Sequence, residues 1–236
     1  MDTSEIAAKA KQFIKDNRKE LCEHFASFKK YPPVMNPSAY FMAGSPGAGK
    51  TEYSKSFIQQ LQNKSPERKI VRIDADEVRD FIPHYDRTNA KVIQGAAALG
   101  VEKLLDCVLK NNQDFLLDAT FADFEKSHQN ITRCLHHNRK VGITYIYQDP
   151  LVAWDFTKKR EKVEGRPVPK ETFIRAFFTA KENVDNIKQE FKENIQLDLV
   201  IKNVDQGIQK THFNIDQVAN YLKIEYTPQT LEKLLL

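Results

Sequence analysis

The chain lacks the residues that would place it outside the ordinary globular classes. Three cysteines, Cys22, Cys107 and Cys134, are too few and too scattered for a disulfide framework, and no C-x-x-C or Cys/His spacing forms a zinc site. A reducing compartment is the simplest expectation. Eight glycines and ten prolines in 236 residues exclude collagenous and low-complexity chains. Long apolar runs are missing too: none approaches the roughly 18 residues of a membrane span. The N-terminus MDTSEIAAKAKQF has neither the basic start nor the continuous apolar stretch of a secretory signal. The expected location is therefore cytoplasmic, without a membrane partner. Nor is there a strong excess of one charge. With 36 Lys and Arg against 32 Asp and Glu, the net +4 tolerates anionic ligands but falls short of the density of a dedicated nucleic-acid binder. What remains, 41% apolar and 29% charged, describes one sizeable core, or a core with a small appendage.

From Ile6 to Phe28 the apolar residues Ile6, Ala10, Phe13, Leu21, Phe25 and Phe28 recur at helical intervals among lysines and glutamates, predicting one or two amphipathic helices. Three prolines between Tyr31 and Pro37 end them, since proline removes a donor and pushes the preceding residue toward extended conformations. The expected division is a helical extension and linker over 1–37, then a main domain over 38–236. In that domain short apolar runs alternate with longer amphipathic ones, the pattern of β-α-β units closing a mostly parallel sheet flanked by helices, an α/β fold. Strands are predicted at Ala39 to Ala43, Ile70 to Ile73, Phe115 to Leu117, Val141 to Tyr147 and Leu197 to Ile201. Helices are predicted around Thr51 to Leu61, Asn89 to Lys110, Phe124 to His137, Leu151 to Val163 and Glu171 to Phe191. Toward the end, a short strand at Ile208 to Phe213, a helix at Ile215 to Leu222 and an apolar tail, LEKLLL, that docks on the core, or alternatively contacts a partner, complete the reading.

The strongest local signal is Gly44-Ser45-Pro46-Gly47-Ala48-Gly49-Lys50-Thr51, which matches G-x-x-x-x-G-K-[ST] between an apolar strand and a helix. Its glycines let successive backbone N–H groups face one concavity at a helix N-terminus, a cradle for a polyphosphate such as that of ATP. Lys50 would bridge the β- and γ-phosphates and Thr51 would ligate Mg²⁺. A second apolar strand runs into Asp74 and Asp76. Either could accept a hydroxyl proton beside the phosphate loop, or could cap a helix starting at Glu77. A third strand ends at Asp118, a metal-side or substrate-side acid or a turn before the helix at Phe124; Thr120 follows it. Around 158–170, cations with Gly165 and two prolines describe a lid whose Arg160 and Arg166 can grip phosphate oxygens, against the plainer reading of a solvated helix face. His136 and His137 have no ligand spacing and read as surface or cap residues. Trp154 and Phe156 with Phe173, Phe177 and Phe178 could shape a ring-stacking pocket, although aromatics so spaced are more often core.

Together the P-loop, the D-x-D-x-x-R from Asp74 to Arg79, the strand ending in Asp118 and Thr120, and the basic lid followed by Val-Pro resemble the zeta-toxin family of kinases, over roughly Ala39 to Val204. The resemblance implies a P-loop small-molecule kinase that uses ATP and Mg²⁺ to phosphorylate the 3′-hydroxyl of UDP-N-acetylglucosamine or a related nucleotide-sugar. It implies Lys50 and Thr51 as the phosphate and magnesium residues, Asp76 as the base, and Arg160 and Arg166 as phosphate-sensing arginines. Asp74, Glu102, Asp118 and Thr120 would face the substrate, and a small helical antitoxin would be the protein partner. The alternatives are a kinase of the same fold acting on another small hydroxyl compound, an antibiotic or a nucleic-acid end, or a nucleotide-binding regulatory module. A pure switch needs neither a hydroxyl-activating base nor a water-excluding cover, so Asp76 and the lid weigh against the last.

Overall fold

The computed structural model describes residues 2–203 and 208–235. Two helices, α1 (Thr3–Asp16) and α2 (Arg18–Ala26), precede the first strand, β1 (Ser38–Ala43). The chain then alternates: α3 (Lys50–Lys64), β2 (Ile70–Asp74), α4 (Ala75–Phe81), α5 (Ala90–Lys110), β3 (Asp114–Asp118), α6 (Phe124–His136), β4 (Lys140–Tyr147), α7 (Pro150–Glu164), α8 (Lys170–Phe191), β5 (Ile195–Asn203), β6 (Ile208–His212) and α9 (Pro228–Leu234). The strands form one sheet in the order β2-β3-β1-β4-β5-β6, in which only β6 is antiparallel to its neighbour. The α/β fold with a helical N-terminal extension is thus the observed one.

Period-two alternation in β1 sorts the two faces of the sheet. Ala39, Phe41 and Ala43 join the larger cluster with Ile14, Leu21, Leu104, Ile131 and Val184, whereas Met42 and Tyr40 pack with Phe57, Ile58 and Leu61 of α3. One face is covered by α3 and the other by α1, α2, α5, α6 and α8. The N-terminal helices are therefore part of the core. Ile14, which the apolar pattern above omits, is fully buried, and a Cβ on Gly100 of α5 would lie 3.4 Å from its Cδ1. Ile14→Ala is expected to cost about 2–5 kcal/mol, read as a lowered midpoint in denaturant unfolding; an unchanged midpoint would show the extension to be peripheral.

Two details depart from the sequence reading. Phe28 does not join the apolar face, because α2 stops at Ala26 and the ring is 55% exposed. The helix expected over Ile215 to Leu222 is reduced to one 3₁₀ turn, Val218–Asn220. There Ile215 N–H donates to the Leu197 carbonyl at 2.8 Å and Val218 N–H to Asp185 Oδ1 of α8 at 2.6 Å, so tertiary partners take the donors a helix would have used. The apolar tail docks as expected: Leu231 and Leu235 are buried against Ala153, Trp154 and Phe173, behind a Thr227/Thr230 capping box that starts α9.

Candidate functional site

Sheet register brings the chemistry to one edge. Met42 of β1 lies opposite Asp118 of β3, and Asp118 opposite Asp74 of β2, so two carboxylates and the loop leaving β1 share the carboxyl ends of adjacent strands. In that loop Gly44, Gly47 and Gly49 have φ of +140°, +72° and +77°. A side chain at Gly47 would meet the Ala153 carbonyl at 2.0 Å and one at Gly44 the Ile146 carbonyl at 2.4 Å. Only glycine allows this close, left-handed turn. Lys50 opens α3, its Nζ donating to the carbonyls of Gly44 at 3.0 Å and Ser45 at 2.7 Å. The residues thus fit a polyphosphate, with the ammonium folded over the loop and backbone N–H groups at the head of a helix of 15 residues.

Burial pushes the Lys50 ammonium down to about 8, against the opposing pull of the Asp118, Asp74 and Asp76 carboxylates and with the Arg160 cation adding to the depression. A bound triphosphate would restore the proton, because anionic oxygens favour the charged form. At pH 8, nucleotide binding is therefore expected to take up about half a proton, and affinity to weaken as pH rises beyond that value. Calorimetry in buffers of different ionisation enthalpy measures the uptake; none at pH 8 would contradict the assignment.

The two acids of the D-x-D separate by role. Asp74 is the cap: its Oδ1 accepts from Asp76 N–H at 2.8 Å, so α4 starts at Ala75, earlier than expected. Asp74 also pairs with Arg72 of β2, which bonds Glu77 and, at 2.6 Å, Asp118 Oδ2. Ser54 Oγ lies 3.2 Å from both Arg72 Nε and Asp118 Oδ2. Asp118 does not cap α6, a task done by Asp123. Arg72 holds the carboxylates at the ends of β2 and β3 in fixed orientation. It is signalled in sequence only as a lone charge inside an apolar strand, Ile-Val-Arg-Ile-Asp.

Asp76 carries the tightest cluster. Oδ2 accepts from Arg160 at 2.5 Å and from Arg166 at 2.8 Å, while Oδ1 accepts from the second Arg166 nitrogen and from Arg79. Burial raises its carboxyl, but the Arg166 hydrogen bond and the charges of Arg166, Arg79 and Arg160 outweigh it and hold the group well below the usual carboxylate range. Arg160 lies on α7 and Arg166 just beyond Gly165, whose φ of +67° ends that helix. Residues separated by 84 and 90 positions thus meet on one carboxylate.

Much of the phosphate loop, the strand-end acids, Asp76 and its two distant arginines open into one cavity of about 1160 Å³. Pro46 to Thr51, Asp74, Asp76, Asp118, Thr120, Arg160 and Arg166 line it, as do Gln94, Lys126, Asn130, Gln148, Phe156 and Lys202. The second group was not assigned from sequence. Thr120 contributes its carbonyl to Gly44 N–H at 3.1 Å. Glu102 sits outside the lining, on α5, with Oε1 3.0 Å from the lining residue Lys126. Of the aromatics, Trp154, Phe173 and Phe177 are core and Phe156 faces the cavity. His136 and His137 are exposed at the end of α6. For magnesium, the donors at hand are the Thr51 hydroxyl and Asp118. No cluster of three or more His, Cys, Asp or Glu suited to a metal occurs among the described residues. Such a sparse set fits an ion held largely by phosphate oxygens and water.

Comparison with known proteins agrees with this fold. No curated protein matches the sequence. A structure from the PezAT chromosomal toxin-antitoxin system of Streptococcus pneumoniae superposes with a TM-score of 0.59 at 16% identity, covering 97% of this chain and 87% of that one. The AvrRxo1-ORF1:-ORF2 complex with ATP superposes with a TM-score of 0.65 at 12% identity, over 91% of this chain and 70% of that one. At such identities the likeness is one of fold. The sequence profile described as Zeta toxin, however, matches residues 23–213. Most of the chain is covered by that match, and with its P-loop-kinase fold the chain belongs to the zeta toxin family.

Proposed function

We propose that the protein transfers the γ-phosphoryl group of ATP to a hydroxyl of a nucleotide-sugar, with the 3′-hydroxyl of UDP-N-acetylglucosamine as the first acceptor to test. One observation carries this reading: Asp76 and Lys50 open into the same cavity, with two arginines from the segment around α7 on the Asp76 carboxylate. A carboxylate pinned by three guanidiniums is a poor base. Phosphate oxygens offer Arg160 and Arg166 an alternative partner of matching bidentate geometry. As they move to the γ-phosphoryl oxygens, Asp76 is released to accept the hydroxyl proton. The acceptor oxygen then bonds to phosphorus, the bond to the β-phosphate oxygen breaks, and ADP leaves with Lys50 and the loop N–H groups on its phosphates. Mg²⁺, held from the protein side by Thr51 and Asp118, would neutralise phosphate charge. The segment 158–170 would act as the lid, keeping water from the transferring group.

The cavity of about 1160 Å³ exceeds the roughly 300–1,000 Å³ of a pocket for one drug-sized ligand, which leaves room for an acceptor beside the nucleotide. A small helical antitoxin covering the nucleotide site is the proposed protein partner, and the cytoplasm the proposed location. No helix among the described residues is long and apolar enough to cross a membrane. Incubation with MgATP and a panel of UDP-sugars, read by mass, tests the reading. The expected product is a UDP-sugar heavier by one phosphate. Release of only ADP and inorganic phosphate would instead favour a nucleotide-hydrolysing regulatory module.

A further inference from the structure

The order of the sheet divides the cavity. β2 and β3, which deliver Asp74 and Asp118, lie to one side of β1; β4 and β5 lie to the other. A triphosphate seated in the loop after β1, with its γ-phosphoryl toward Asp76, must send its nucleoside toward the β4–β5 side. The cavity-lining residues supplied from that side include Gln148 just after β4, Phe156 of α7 and Lys202 of β5.

Phe156 is distinctive among them. Trp154, two residues earlier, is buried in the cluster with Phe173, whereas Phe156 is 41% exposed and faces the cavity. It lies one helical turn before Arg160. The adjacent face of α7 is pressed onto the phosphate loop: a Cβ on Gly47 would meet the Ala153 carbonyl at 2.0 Å and Thr157 Oγ1 at 2.6 Å. The helix segment that carries Phe156 is thereby held against the phosphate loop. The Lys159 ammonium stands 5.6 Å from the ring centroid and lies outside the cavity lining, whereas the ring itself belongs to that lining. Lys202 Nζ donates to the Gly49 carbonyl at 3.2 Å, placing an ammonium beside the same loop.

Building on the ATP-kinase reading, we infer that Phe156 is the stacking platform for the nucleobase, with Gln148 and Lys202 presenting polar groups to its edge. An aromatic face binds any base through its π-surface, so this contact sets nucleoside affinity while the loop sets phosphate affinity. The two contributions are separable by titrating the full chain and its Phe156→Ala and Phe156→Trp variants with MgATP and with magnesium tripolyphosphate, which carries the phosphates without the base. Phe156→Ala is expected to weaken MgATP about tenfold and to leave tripolyphosphate unchanged, while Phe156→Trp keeps the MgATP affinity. Unchanged MgATP binding in Phe156→Ala, or an equal loss for both ligands, would overturn the platform and leave the kinase reading standing. A wild-type chain that bound neither ligand would overturn both.

Discussion

Asp76→Asn is expected to lower phosphotransfer by about 10² to 10⁴-fold, the usual contribution of a positioned general base, and at the same time to tighten MgATP binding. The second effect follows from the pairing seen in the structure. In the resting protein Arg160 and Arg166 must leave a charged carboxylate before they can hold phosphate, and an amide releases them more readily. Steady-state turnover with the acceptor and calorimetric titration with MgATP read the two effects separately. Near-normal turnover would make the base assignment wrong. An unchanged affinity would show that the arginines do not exchange between carboxylate and phosphate.

Replacing Arg160 and Arg166 together by alanine is expected to cost about 10³-fold or more in turnover and, unlike Asp76→Asn, to weaken MgATP. The two are not equivalent. Arg166 is 18% exposed and grips Asp76 with both terminal nitrogens, whereas Arg160 is 46% exposed and uses one. Screening by water reduces the second pair more, so the single Arg166→Ala variant should be the more damaging. Arg166→Lys should recover little of the loss, because an ammonium cannot reproduce the planar fork. Equal turnover in the double variant and the wild type would remove the arginines from the chemistry.

The parts of this site that were legible in the sequence are those whose geometry is local. The phosphate loop is a contiguous motif between a strand and a helix. The ends of β2 and β3 are marked by acids following apolar runs, and the sheet register then aligns them. The parts that were not legible depend on which strands are neighbours. Arg72 bonds Asp118 because β2 pairs β3, an adjacency that residue types alone do not specify. Which of Asp74 and Asp76 caps a helix was open in the sequence, because it depends on where α4 begins: the helix starts at Ala75 with Asp74 as its cap, while Asp76 meets arginines from beyond residue 158. Phe156 and Trp154 lie on one weakly patterned helix, and only packing against α8 and α9 decides that the tryptophan is core and the phenylalanine is not.

The account turns on one carboxyl group changing partners. Carbon-13 labelling of the aspartates and an NMR titration of the Asp76 carboxyl, assigned with Asp76→Asn, follow it directly. In the free protein the group should stay ionised well below the usual carboxylate range, because Arg166, Arg79 and Arg160 hold it. With a non-hydrolysable MgATP analogue bound, its titration should move up toward that of an ordinary aspartate, as Arg160 and Arg166 pass to the phosphates. An Asp76 that titrates at the same low pH with and without the analogue would contradict the account.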